Sequence, residues 1–158
     1  IEFGTESFCD RTLEAYGKHF TFGDVVRASR LALDEGVYYA HFLILGGYGD
    51  TREHVRETIE NSRRLEYTVM FPYAGMRIYP HTRLAELAAK EGAIGRDDDL
   101  MAPSYYISRD FDLEEVRRAA LATGKAWVFP DDPQSALADT LRLKRNKKGP
   151  LWEYLRKP

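Results

Sequence analysis

An almost unbroken apolar segment, residues 38–45, constrains the fold of this chain more than any other feature of its sequence. A strand this apolar is typical of a parallel sheet that helices cover on both faces. A glycine-rich turn, residues 46–50, follows directly, and Thr51 then begins a helical pattern. Glycines allow a sharp turn and leave backbone N–H groups exposed at a helix start. The sequence therefore predicts an α/β protein with a ligand-holding turn at the end of this strand.

Composition narrows the class of protein. The chain has 158 residues, 44% of them hydrophobic, which is enough for one ordinary core. Its formal charge of −2 gives no indication of nucleic-acid binding, and no segment is apolar over the length needed to span a bilayer. One cysteine excludes an internal disulfide and fits a reducing cytoplasm, and no secretion signal is visible. Because a strand pattern begins at Ile1, we expect a piece of a longer protein.

The spacing of apolar residues predicts three strand–helix units within residues 1–92. Thr21 and Asp24 have the spacing of a capping box, and Thr51 can cap the next helix. Crossovers of this length indicate parallel strands. The predicted strands cover 1–3, 37–45 and 67–71. The first helix follows Thr21 and ends at Gly36, the second follows Thr51 with an apolar stripe that includes Leu65, and the third begins near Leu84 and stops at Gly92.

Beyond Gly92 the pattern changes. Residues 96–103 indicate a polar linker, 113–123 an amphipathic helix, 126–129 a short apolar segment, and a last helix from Ser135 runs into a basic stretch, 142–148. We therefore divide the chain into residues 1–92 and a C-terminal helical extension, 93–158.

Four motifs, in order and spacing, resemble the second half of a radical S-adenosylmethionine (SAM) enzyme core, nearest to its cobalamin-binding branch. The resemblance covers roughly residues 1–107. The motifs are Gly4-Thr5-Glu6-Ser7, Tyr16-Gly17-Lys18, the segment from His41 to Thr51, and Met76-Arg77-Ile78-Tyr79-Pro80-His81-Thr82.

The resemblance implies a fold and a set of cofactors. The fold is half of a partial (β/α)6 TIM-like barrel, built from three parallel β/α units. The family cleaves SAM to a 5′-deoxyadenosyl radical at a [4Fe–4S] cluster, and the resemblance implies an iron–sulfur oxidoreductase or a methyltransferase. Three cysteines in a CxxxCxxC loop hold that cluster, whereas this chain has only Cys9. We therefore expect a missing upstream segment to bind the cluster, and this chain alone to be inactive; cobalamin is a further candidate cofactor.

The resemblance also marks candidate cofactor-binding residues. Glu6 and Ser7 match positions that contact the ribose or the methionine part of SAM, and Ile44 and Gly46 match a segment that packs on adenine. A strand-end acid facing water and a plain buried strand with a capping turn explain the same residues without a ligand. The full predicted set is Glu6, Ser7, His41, Ile44, Gly46, Gly47 and Tyr48.

Three other positions also have two interpretations each. Arg77 and Tyr79 follow the sixth strand of the barrel and are candidates for substrate contact, with packing or solvent exposure as the alternative. His41 lies in the apolar strand, so it lines a cavity or is a satisfied core histidine. The spacing of the four histidines matches no compact ligand motif, so we predict no metal site.

The sequence also leads to expectations about what this chain binds. We predict a small-molecule or lipid-like substrate and no nucleic acid. Basic residues 142–148 are a solvated helix end or a membrane-surface contact. Open barrel edges favour a homodimer. Two other functions stay open: a nucleotide- or phosphate-binding module, although the glycine turn is neither GxGxxG nor GxxxxGK[ST], and a non-catalytic interaction domain.

Overall fold

The computed structural model describes residues 1–95, 97–130 and 150–158, and within them the chain alternates between strands and helices. The strands are β1 (Glu2–Glu6), β2 (Ala40–Leu45), β3 (Val69–Ala74), β4 (Met76–Ile78), β5 (Ser104–Tyr106) and β6 (Ala126–Trp127). The helices are α1 (Asp10–Ala15), α2 (Phe22–Asp34), α3 (Arg52–Asn61), α4 (Arg83–Lys90) and α5 (Leu113–Ala122), with short 3-10 turns at Ser62–Arg64 and Leu151–Tyr154.

The main sheet has four parallel strands in the order β1-β2-β3-β6. Its first three strands are joined through α2 and α3, because neighbouring parallel strands need a crossover connection. The predicted α/β class with a parallel sheet is therefore confirmed. A fourth strand, β6, comes from the segment assigned to the C-terminal extension, so residues beyond 92 complete the same sheet. The boundary at 92 itself stays a prediction.

The helix starts follow the sequence signals. Thr21 and Asp24 form a reciprocal capping box at α2, and the Thr51 hydroxyl accepts a hydrogen bond from the His54 N–H at α3. These bonds satisfy backbone donors that have no partner inside the helix. Both predicted caps are confirmed.

The two faces of the main sheet differ in their cover. Helices α2, α3 and α5 bury one face, whose core includes Leu43, Leu45 and Met70. On the other face, Phe42 stacks on Phe71 and Tyr73 with ring centroids 5.0 and 6.2 Å apart, and these rings are only partly buried or exposed. We call this second surface the open face. It is the face of the sheet that α2, α3 and α5 leave uncovered.

A second layer lies past the carboxyl ends of the strands. Strands β4 and β5 pair antiparallel, and with α4 they enclose a small core of Ile78, Ala88, Leu100 and Tyr106. The polar linker predicted over 96–103 thus contains a buried residue, Leu100. The two strands escaped prediction because three residues are too few to show a period.

The other end of the sheet is closed by the last residues of the chain. Trp152 and Leu155 pack against Ala40 and Val69, and the Lys157 carbonyl accepts a 2.7 Å hydrogen bond from the Tyr67 N–H. Helix α5 lies where the amphipathic pattern predicts it. The helix predicted from Ser135 and the basic residues 142–148 lie outside the described residues. Within the described ranges, no helix is both long and apolar enough to cross a membrane.

Candidate functional site

Glu6 ends β1 and lies at the border of the open face. Its backbone has a φ of 69°, and the register with β2 shifts between Gly4 and Glu6. A side chain built on Gly4, which pairs with Phe42, would lie 3.8 Å from the Glu6 Oε1 atom. Residues paired across a sheet share a face, so the carboxylate lies over the open face. Lys18 binds the same oxygen at 3.2 Å.

Ile44 extends the open face beside this carboxylate. It lies two residues after Phe42 on β2 and is only partly buried. Because side chains alternate along a strand, both point away from the helix-covered core. The structure therefore brings together Glu6 and Ile44, two of the residues predicted to contact the cofactor.

The Ser7 side chain points to the helix-covered side of the sheet. Its hydroxyl lies 2.8 Å from the Thr58 hydroxyl on α3 and accepts a hydrogen bond from the Cys9 N–H. The side chain is fully buried on the helix side. The Ser7 hydroxyl thus links the end of β1 to α3. Because it lies on the helix side, the structure does not bring it together with Glu6 at the open face.

His41 also lies on the helix-covered side of the sheet. Its Nδ1 atom is 2.7 Å from the Thr5 hydroxyl and its Nε2 atom 3.1 Å from the Ser29 hydroxyl. Phe3 stacks on the ring. Burial lowers the pKa of His41 to about 3, so the ring is neutral. These contacts are those of a satisfied core histidine, the alternative that the sequence left open.

The glycine turn is closed by a buried carboxylate. Asp50 accepts hydrogen bonds from the Gly46 N–H and from the Thr12 hydroxyl, each at 2.9 Å. Burial raises the pKa of Asp50. The Asp50 N–H in turn bonds the Gly47 carbonyl at 3.1 Å. The turn therefore uses its own polar groups to hold its shape.

Protein side chains fill the space that the glycines leave. Gly46 has a φ of 72°, and a side-chain carbon there would lie 2.4 Å from the Phe111 ring. At Gly47 such a carbon would lie 2.3 Å from the Tyr16 hydroxyl oxygen and 3.4 Å from Ile44. Phe111 and Tyr16 thus occupy the space beside these two glycines.

Tyr48 turns away from the open face. Its ring packs against the second core and meets Tyr106 edge-on, with centroids 5.6 Å apart. The Ser108 N–H also bonds the Gly46 carbonyl at 2.8 Å. Tyr48 therefore joins the glycine turn to the β4–β5 layer.

Arg77 and Tyr79 form an exposed pair on β4 and just beyond it. The Arg77 guanidinium lies 4.8 Å from the centre of the Tyr79 ring, a cation–π geometry. Tyr105 pairs with Arg77 across β5 and is also exposed. The predicted substrate pair thus belongs to the β4–β5 layer.

Three residues at the site are absent from the set that the sequence predicts: Tyr16, Lys18 and Asp50. Tyr16 and Lys18 belong to one of the motifs, but they lie just after α1, a helix too short to show a pattern. Asp50 lies within the motif segment from His41 to Thr51, but the sequence does not single it out as a site residue. Cys9 is buried, and burial raises the pKa of its thiol. In the part of the chain that the structure describes, no three ligand-type side chains gather as a metal site.

Comparison with solved structures shows where this fold occurs. The chain superposes on radical S-adenosylmethionine methyltransferase TsrM from Kitasatospora setae, with cobalamin and a [4Fe–4S] cluster bound, at a TM-score of 0.58 and 19% identity over 85% of this chain. A second TsrM structure, with tryptophan and a SAM analogue, gives 0.58 and 20% over the same share. The archaeal Elp3 of Methanocaldococcus infernus gives 0.53 and 17% over 82%.

Sequence comparison adds one curated relative. An uncharacterized methyltransferase of Pyrococcus horikoshii is 31% identical over 86 residues, 51% of this chain. The chain spans 19% of that relative, 32% of either TsrM chain and 28% of the Elp3 chain. No family model matches. The resemblance first seen in the motifs is confirmed at the level of the fold: the chain has the fold of part of TsrM and of part of Elp3.

Proposed function

We propose that this chain is part of a radical SAM enzyme and supplies one wall of its SAM and substrate site. The observation that carries the proposal is the Glu6 carboxylate, placed beside the apolar open face at the carboxyl edge of a parallel sheet. Ligands of parallel α/β proteins bind at this edge. An acid next to an apolar surface suits a ligand with both hydroxyl or ammonium groups and a flat ring.

The open face fits the adenosyl part of SAM. Ile44 and Phe42 offer apolar contact to a ring, and a carboxylate accepts hydrogen bonds from two ribose hydroxyls or from the methionine ammonium. Lys18 holds one carboxylate oxygen, which fixes the direction of the Glu6 side chain. When bound, SAM and a reduced cluster would supply the radical or methyl-transfer chemistry.

The glycine turn argues against the rival phosphate-binding module. The Gly46 N–H, which a phosphate would need, already donates to Asp50. Asp50 also places a buried acid under the turn, where it would repel an anion when ionised. The polar groups at this turn therefore suit a ligand that is cationic or carries hydroxyl groups better than they suit a phosphate.

The cluster needs ligands from another segment of the protein. A [4Fe–4S] cluster of this family takes three thiolates, and this sequence has a single cysteine, Cys9, which is buried. Cobalamin enters the proposal through TsrM, the structural neighbour that binds it. Oxidoreductase chemistry and methyl transfer are both compatible with these cofactors.

The proposal also includes the substrate, the cellular location and the oligomeric state. Arg77, stacked on Tyr79, offers a cation on an aromatic support to a small-molecule or lipid-like substrate. We also propose a cytoplasmic protein that pairs with a second copy through open sheet edges, since β1 is an edge of the main sheet.

Substitution of Glu6 by Gln in the full-length protein tests the proposal. The change keeps the shape of the side chain and removes its charge. Charge-assisted hydrogen bonds are worth about 1.5–3 kcal/mol each, so we expect SAM affinity to fall about tenfold or more, since ~1.4 kcal/mol is one decade. Isothermal titration with SAM measures the affinity, and thermal melting of the ligand-free protein reports stability.

Glu2→Gln is the matched control, because Glu2 is an exposed acid at the other end of the same strand. It should alter neither affinity nor melting. Glu6 is partly exposed, so loss of its ion pair with Lys18 should move the melting temperature little. Equal SAM affinities of Glu6→Gln and the parent protein would assign Glu6 to solvent and refute the proposed contact.

A further inference from the structure

Tyr16 carries a buried hydroxyl group with no hydrogen-bond partner. Buried polar atoms in native proteins are nearly always paired, because an unmade hydrogen bond is costly. Such an atom beside a proposed ligand site has a functional explanation: its partner arrives with the ligand.

The position of this hydroxyl connects it to the site. A side-chain carbon on Gly47 would lie 2.3 Å from the Tyr16 oxygen and 3.4 Å from Ile44, so the hydroxyl lies behind the turn next to Ile44. Tyr16 follows α1 directly, and Lys18, two residues later, binds Glu6. One short segment thus positions both the Glu6 carboxylate and the phenol.

The surrounding charges favour one kind of ligand group. Burial and the charges of Asp50 and Glu6 raise the pKa of Tyr16, so the phenol keeps its proton. The two carboxylates attract that proton. The Gly47 N–H lies near the oxygen and lowers the pKa somewhat, but it does not reach hydrogen-bond geometry, so an oxygen lone pair stays open to a donor. The missing partner is therefore a hydroxyl or ammonium group rather than a phosphate.

We propose that Tyr16 is a further binding residue of this site, and that its hydroxyl accepts a hydrogen bond from a hydroxyl or ammonium group of the ligand while donating toward the acidic pair. This inference rests on the proposed function, because the ligand it implies is SAM. It also makes Gly47 a requirement of the site, since any side chain there would occupy the position of the phenol oxygen.

The test compares Tyr16, whose buried hydroxyl has no partner, with a tyrosine whose hydroxyl is paired. Tyr39 is fully buried, and its hydroxyl donates a 2.5 Å hydrogen bond to the Glu66 carbonyl. The variants Tyr16→Phe and Tyr39→Phe each lose one oxygen and keep the ring. In the full-length protein we expect Tyr16→Phe to melt at or above the parent temperature and to bind SAM about tenfold more weakly. Tyr39→Phe should melt lower and bind SAM as the parent does.

Each outcome has one meaning. Unchanged SAM affinity of Tyr16→Phe would overturn the inference while leaving the Glu6 result, and with it the proposed function, intact. A lower melting temperature together with weaker binding would make Tyr16 structural and also overturn it. Failure of the parent protein to bind SAM would remove the proposed function and the inference together. Tighter binding of adenosine 5′-monophosphate than of SAM would overturn the preference for a donor ligand.

Discussion

The glycine turn offers a quantitative test of the structure through the substitution Gly46→Ala. Gly46 has a φ of 72°, and a side-chain carbon there would meet the Phe111 ring at 2.4 Å. The left-handed backbone costs an alanine about 1–2 kcal/mol, and overpacking typically adds about 1–3 kcal/mol. We therefore expect the free energy of unfolding to fall by about 2–5 kcal/mol.

Two further variants separate these causes. Gly36 has a φ of 67° and nothing within 4 Å of the added carbon, so Gly36→Ala should cost only the backbone part, about 1–2 kcal/mol. In a double-mutant cycle, Phe111→Ala should relieve part of the Gly46→Ala penalty. Urea denaturation at equilibrium measures each variant against the parent protein. Equal losses in Gly46→Ala and Gly36→Ala, or strict additivity with Phe111→Ala, would refute the packing argument.

Two other predictions concern His41 and Cys9. Burial lowers the pKa of His41 to about 3, so the stability that its neutral ring contributes is present above the ordinary histidine pKa of 6.5 and is lost as the pH falls toward 3, at about 1.4 kcal/mol per pH unit. Urea denaturation across this range should show no such loss for His41→Gln. The same pH profile in the variant and the parent protein would contradict a neutral core histidine. Anaerobic reconstitution of this chain with iron and sulfide should give no stoichiometric [4Fe–4S] absorption, because one buried thiol cannot replace three thiolates; stoichiometric uptake would show that the chain binds the cluster itself.

The fold was predictable where local signals agreed with each other. The apolar strand β2 and the caps at Thr21 and Thr51 identified a parallel α/β sheet, because hydrophobic period and capping chemistry act over a few residues. Strand β6 was missed as part of the sheet, since two residues show no period and their place depends on pairing with Val69 and Met70. Long-range pairing is a tertiary property.

The site was only partly predictable for a related reason. Glu6 and Ile44 were chosen from the family resemblance, and the structure places both at the open face because of their positions at the end of β1 and along β2. Ser7 and His41 are neighbours of the site in sequence, yet strand alternation and a bulge turn them to the helix side. Tyr16 was not chosen, since the lack of a partner for its hydroxyl is visible only in three dimensions.

The acidic groups at the turn bear on the choice between a phosphate site and a SAM site. A phosphate site needs free N–H groups and positive potential, as glycine-rich loops before helices supply. Here the Gly46 N–H is taken by Asp50, and Glu6 adds a second acid, balanced by Lys18 at one oxygen. Removing Asp50 would free the amide and end the repulsion at once, so a phosphate module would gain nothing from keeping this residue. A ligand that brings hydrogen-bond donors to two carboxylates and one unpartnered phenol makes use of all three groups.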